Sequence, residues 1–372
     1  ARRTVRAAVT VLMAVLLLVA GQPLGVDRAT AASQPKCATS SWSKTGGLAK
    51  DAHPVVLVHG WTGSALTDLR QALERKAGQG WQFLLFDYHS ASTQWAASPD
   101  VSGCLVKYLR QVSDAHKAKG GDGRVYVVAH SMGGLATLFA ASDPSLAHRV
   151  GGLVSLATPY QGSPWGSSAP VTYGYFWELG NGLGSTAIPP YAAPARNCLA
   201  MHTGTSGMPS GCVVAPYLPK DVPVHEIAGD LTVRRTFFGV HAYDMPMSGD
   251  TIVPFVSGQG YLGSAGAPSP TGVKVGLDTV PCSLDAHAVI AEAGTLSIFG
   301  ALPGVWAQTW SDSTALDAVM AKEASPAVIE LLAAANQWAD CSHSGLLKND
   351  TAAGQVVTAL KAQASWQNTR RN

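Results

Sequence analysis

The chain has 372 residues, of which 47% are hydrophobic, with 26 Lys and Arg against 24 Asp and Glu and a net charge of +2. No basic patch or stripe stands out, which argues against a nucleic-acid partner. The length exceeds what an all-helical or small disulfide-rich scaffold uses and suits one large α/β domain with insertions.

Residues 1–31 read as an export signal: Arg2, Arg3 and Arg6, the apolar run Ala7 to Gly21, then Ala29-Thr30-Ala31 as a small-x-small cleavage site. The run falls short of the roughly 20 residues a spanning helix needs. Residues 1–31 hold four arginines and one aspartate, so residues 32–372 carry a net charge of about −1 and the apparent basicity belongs to the signal. Six cysteines, at 37, 104, 198, 212, 282 and 341, follow the signal, and an even number in an exported chain points to disulfides. Cys198 and Cys212 bracket a Gly, Ser and Met rich loop and are expected to pair; of the three pairings then open to the other four, Cys37 with Cys104 and Cys282 with Cys341 is the one expected. No Cys-x-x-Cys or clustered Cys/His spacing suggests a metal site.

After a polar arm over 32–52, Pro54-Val-Val-Leu-Val58 is a continuous apolar run of the kind buried on both faces of a parallel sheet. It ends in His59-Gly60-Trp61-Thr62-Gly63-Ser64, where glycines allow a sharp turn and leave N–H groups unshielded. Leu66, Leu69 and Leu73 predict a helix ending near Gly78, and Trp81 to Asp87 the next strand. Leu105, Tyr108, Leu109 and Val112 predict a second helix ending at Gly120-Gly121. This alternation implies a mostly parallel sheet with helices on both faces.

The third strand carries the most informative stretch, Val125-Tyr-Val-Val-Ala129-His130-Ser131-Met132-Gly133, followed by the helical spacing of Leu135, Leu138 and Phe139. A turn tight enough to lift a serine into an exposed, strained position presses together the residues two before and two after it, so Ala129 and Gly133 must be small. The helix then points its N-terminus at Ser131, favouring an oxyanion there. An ordinary strand-turn-helix connection with packing glycines accounts for the same residues.

This stretch resembles the α/β-hydrolase superfamily, and within it the secreted bacterial lipases and esterases, with Ala129 in place of the commoner glycine. The resemblance implies an α/β-hydrolase fold with a lid or cap insertion, a nucleophile at Ser131, and oxyanion donors in the backbone N–H groups of Trp61 and Met132.

Beyond the Gly151 to Ala157 strand, residues 164–220 show weak periodicity. Tyr160, Trp165, Tyr173, Tyr175, Phe176 and Trp177 crowd this part of the chain and suit either an acyl-binding lid or a cap packed as ordinary core. Val222 to Gly229 is the next strand. Two acids follow it. Asp250, in Ser-Gly-Asp-Thr-Ile-Val-Pro254, resembles the family's acid loop more closely than Asp230, which suits a turn or cap. Two histidines compete as well. His343, followed by a helix-like tail over 351–362, is preferred to His287, which sits among Ala, Val and Ile. His59 and His130 read as hydrogen-bonded scaffolding. Residues 315–338 look helical, with a restart at Ser325-Pro326.

The reading is therefore an exported, extracellular single catalytic domain over 32–372, with insertions at about 164–220 and 258–340. Its activity is expected to be serine carboxylic-ester hydrolysis, as a lipase or lipid-tolerant esterase using Ser131, Asp250 and His343 in the family's chain order. The chemistry calls for no metal or organic cofactor. The expected partners are an ester or lipid substrate and a transient lipid interface, with neither nucleic acid nor a protein partner. An acyltransferase using the same acyl-enzyme, or a non-catalytic lipid-binding relative, are the alternatives.

Overall fold

The computed structural model describes residues 34–163, 194–200, 208–237, 240–246, 249–260, 275–285 and 339–370. Seven strands of these residues form one sheet: β1 (His53–Val58), β2 (Trp81–Phe86), β3 (Val125–His130), β4 (Val150–Leu156), β5 (Val224–Phe237), β6 (Val240–Pro246) and β7 (Val275–Asp285). The order is β2-β1-β3-β4-β5-β6, with β7 on the free side of β5. Every pairing is parallel except that of β5 with β6. Residues 224–227 of β5 pair with β4 and residues 232–237 with β6. β6 thus takes over the side of β5 that β4 leaves.

Period-two alternation sends successive residues of the central strands to opposite faces. Val55 and Leu57 meet helix α1 (Thr67–Ala77), through Leu69 and Leu73, and the C-terminal helix α4 (Asp350–Thr369), through Ala352, Val356 and Leu360. Val56 and Val58 face α2 (Cys104–Ala118), through Leu105, Tyr108 and Val112, and α3 (Met132–Ala141), through Leu135 and Leu138. Both faces are covered, so these strands are apolar throughout. α1 stops at Gly78, whose φ of 80° suits a residue without a Cβ. Asn349 caps α4 by accepting from the Ala352 N–H at 2.9 Å.

Two strand features depart from the sequence expectation. β5 does not stop at Gly229, because pairing on both sides carries it on to Phe237. β7 falls within 258–340, where no strand was expected. Pro281, which cannot donate to a ladder, fits there because among the described residues β7 pairs only with β5, and Val280 and Leu284 turn into the core.

The disulfides pair Cys37 with Cys104, Cys198 with Cys212 and Cys282 with Cys341, as expected. No helix among the described residues is long and apolar enough to cross a membrane. The expected signal over 1–31, the helix over 315–338, His287 and most of the aromatic-rich stretch lie outside the described residues.

Candidate active site

Ser131 occupies the turn from β3 into α3 with φ 55° and ψ −134°, a backbone region that residues with a Cβ rarely enter. Its N–H donates to the Leu156 carbonyl at 2.9 Å, which fixes the turn against β4. The small residues around it have separate reasons. A Cβ on Gly133 would lie 2.4 Å from the His59 carbonyl oxygen, so only glycine lets α3 approach the end of β1. A Cβ on Gly60 would lie 2.5 Å from the Ser131 Cβ. Met132 is the first residue of α3, a position whose N–H has no acceptor within the helix.

The loop after β1 is held by the loop after β2. The buried His59 ring has Nδ1 2.9 Å from the Gly60 carbonyl oxygen and Nε2 3.2 Å from Asp87 Oδ1. The Tyr88 N–H also donates to Nε2, at 3.0 Å, and the Tyr88 hydroxyl donates to the His59 carbonyl at 2.7 Å. The two rings stack at 4.0 Å. The His59 hydrogen bond, despite partial burial, holds the Asp87 carboxyl below the usual carboxylate range.

Asp250 and His343 meet across 93 residues of sequence. Asp250 is 1% exposed and His343 6%. Asp250 Oδ1 accepts the N–H groups of Ile252 at 3.0 Å and Val253 at 2.7 Å, and Oδ2 lies 2.8 Å from His343 Nδ1. The carboxylate is thus oriented from one side and presents its other oxygen to the imidazole. With Nδ1–H donating to Asp250, His343 Nε2 keeps its lone pair. The His343 N–H donates to the Asp250 carbonyl at 2.9 Å, so backbone and side chain register the two loops together.

His130, the residue before Ser131, ties this pair to the serine turn. Its Nε2–H donates to the His343 carbonyl at 2.8 Å, and the two rings are 4.5 Å apart. Burial, then the neighbouring His343, pushes the His130 pKa well below the usual imidazole value. The acid loop is tied to the β4 exit as well: Ser257 Oγ accepts the Gln161 N–H at 3.0 Å and donates to the Gly162 carbonyl at 2.5 Å.

Backbone strain collects in the same region. Thr62, Ser131, Ala157 and Thr251 all have positive φ, and they stand in the loops that follow β1, β3 and β4 and in the Asp250 loop. Asp230 lies within β5, opposite Pro281 of β7, and takes no part in the Asp250–His343 pair. The roles of His130 and Ser257 have no local signal, since each acts on partners far away in sequence. Among the described residues, no group of three or more His, Cys, Asp or Glu side chains is placed to hold a metal.

A parallel sheet covered by helices on both faces, with a strained serine between a central strand and its helix, defines the α/β-hydrolase fold. The family model described as alpha/beta hydrolase fold matches residues 53–181, so the chain is an α/β-hydrolase by fold. Similar solved structures include a mature lipase from Bacillus licheniformis, 18% identical over 53% of this chain and 74% of that one, with a TM-score of 0.34. A metagenomic carboxyl esterase is 18% identical over 78% of this chain and 76% of that one, with a TM-score of 0.38. A soluble variant of monoglyceride lipase from Saccharomyces cerevisiae, in complex with a substrate analog, is 15% identical over 73% and 90%, with a TM-score of 0.40. No curated protein sequence matches the chain.

Proposed function

We propose that this α/β-hydrolase is a serine carboxylic-ester hydrolase, a lipase or lipid-tolerant esterase, acting through an acyl-enzyme on Ser131. The observation that carries the reading is the buried pair formed by Asp250 Oδ2 and His343 Nδ1 at 2.8 Å, joined through His130 to the strained serine turn. A serine hydroxyl is a poor nucleophile at neutral pH, so His343 Nε2 removes its proton as Oγ attacks the ester carbonyl. Asp250 holds the ring in the needed tautomer and stabilises the imidazolium. The oxyanion is received by the N–H groups of Trp61 and Met132. His343 then protonates the leaving alcohol, and water activated by the same imidazole releases the acid. Loss of one oxyanion donor typically costs about 3 to 4 kcal/mol in the transition state.

Export of the chain, with residues 1–31 as the cleaved signal, belongs to the same proposal. It is supported by the pairing of all six cysteines, which an oxidising compartment favours.

The test is a chain-length series of p-nitrophenyl and triglyceride esters on the wild type, Ser131→Ala, His343→Ala and His287→Ala. The first two variants should lose roughly 10⁴-fold or more in kcat, and the third should retain activity. Retained activity in Ser131→Ala overturns the proposal, and a dead His287→Ala beside an active His343→Ala overturns the assignment of the base. The preferred chain length separates lipase from esterase.

A further inference from the structure

The Gly60 carbonyl belongs to the same peptide unit as the Trp61 N–H, and that carbonyl is held from two directions. His59 Nδ1 lies 2.9 Å from it, and the Gly63 N–H donates to it at 3.1 Å. Among the described residues no peptide is cis, so the carbonyl and N–H of this unit point to opposite sides. Whatever holds the Gly60 carbonyl against the His59 ring therefore turns the Trp61 N–H away from that ring. Gly60 itself is packed on Ser131.

The protonation of the ring decides whether His59 can hold the carbonyl. A carbonyl only accepts, so Nδ1 must carry hydrogen. At the other nitrogen two partners make opposite demands. The Tyr88 N–H at 3.0 Å needs a lone pair on Nε2, and Asp87 Oδ1 at 3.2 Å needs a hydrogen there. The neutral ring satisfies Gly60 and Tyr88, and the imidazolium satisfies Gly60 and Asp87. Both forms keep Nδ1–H on the Gly60 carbonyl; the Nε2–H tautomer would satisfy Asp87 alone and set a lone pair against that carbonyl. Stacking on Tyr88 with an interplanar angle of 7° leaves the ring little freedom to turn.

We propose that the His59 imidazole is a positioning residue: by donating Nδ1–H to the Gly60 carbonyl it fixes the orientation of the Gly60–Trp61 peptide and keeps the Trp61 N–H available to an oxyanion formed on Ser131. The inference rests on the proposed reading of Ser131 and Trp61. Without the imidazole donor, that peptide can rotate and present an oxygen, in place of an N–H, to a negatively charged intermediate. Tyr88 acts one step further out: its N–H calls for a lone pair on Nε2, which leaves the hydrogen of the neutral ring on Nδ1.

Substitutions that mimic one ring nitrogen at a time separate this role from general support of the loop. An asparagine amide nitrogen falls near the position of Nδ1, whereas a glutamine amide nitrogen falls near Nε2. His59→Asn should keep kcat within about tenfold of wild type, while His59→Gln and His59→Ala should lose about 100-fold in kcat with KM within about threefold, the pattern of a lost transition-state interaction. Equal losses in the Asn and Gln variants, or a folded His59→Gln with kcat within about threefold of wild type, overturn the inference. A measurement on the wild type stands apart from folding of the variants: imidazole ¹⁵N spectra should show His59 protonated at Nδ1, and a bare Nδ1 overturns the proposal. A wild type that hydrolyses no ester overturns the reading of the site and the inference with it. An active wild type with a bare Nδ1 overturns the inference alone.

Discussion

Gly229 stands directly against Asp250. A Cβ at Gly229 would lie 2.8 Å from the Asp250 Cβ and 2.0 Å from the Cys341 carbonyl oxygen. One missing side chain on β5 therefore lets the acid loop and the histidine loop close on the same spot. Gly229→Ala must displace backbone, so it should cost about 1 to 3 kcal/mol of stability. It should also lower kcat by at least about tenfold through misplacement of Asp250 and His343. Denaturant unfolding and ester kinetics on the same preparation check both numbers.

Gly354, inside α4, predicts the opposite. A Cβ there would meet nothing within 4 Å. Gly354→Ala should stabilise the protein by about 0.5 to 1 kcal/mol, because alanine loses less backbone freedom in a helix. Ester kinetics should be unchanged, and a higher midpoint in urea is the readout.

The disulfides differ in what they hold. The Cys282–Cys341 bond closes a separation of 59 residues and the Cys198–Cys212 bond one of 14. The chain-entropy relation assigns them about 4 and about 3 kcal/mol. Replacing the first pair by serine should cost activity at temperatures where the protein is still folded, because Cys341 lies two residues before His343. Replacing the second should lower the melting temperature more than it lowers kcat at 25 °C. Melting curves beside kinetics for the two double variants test the contrast.

His130 sets a direction for stability against pH. Burial first, then His343, depresses its pKa well below the ordinary value of 6.5, so the unfolded chain binds the proton that the folded protein refuses. Its contribution to stability is complete above about pH 6.5 and is lost as pH falls toward the depressed value, by up to about 1.4 kcal/mol per pH unit. His53, whose pKa burial also lowers, adds a slope of the same sign. His130→Gln retains a donor near Nε2 for the His343 carbonyl but does not titrate. Between pH 7 and pH 5 it should lose less stability than wild type, as measured by chemical denaturation at each pH. Equal slopes for the two proteins count against this account.

The central strands and the serine turn were legible because their causes are local. β1 and β3 are buried on both faces and read as unbroken apolar runs, and Ser131 lies between Ala129 and Gly133, whose smallness marks the turn in the sequence although Gly133 owes it to the His59 carbonyl. The proposed partners of Ser131 were legible only as a choice. The sequence offered Asp250 or Asp230 and His343 or His287, and what joins Asp250 to His343 is a contact across 93 residues with no local trace. His59 looked like scaffolding, and the tautomer that bonds Gly60 is favoured by the Tyr88 N–H, 29 residues away. β7 escaped notice because Pro281 interrupts it and, of its described side chains, only Val280 and Leu284 are buried.

The Cys282–Cys341 bridge brings two Cα atoms to 5.5 Å, one near the end of β7 and the other just ahead of His343. The bond fastens β7 to the segment that carries His343. Because that bond is covalent, β7 and the His343 segment stay fastened to each other even where the backbone between residues 286 and 338 is cut.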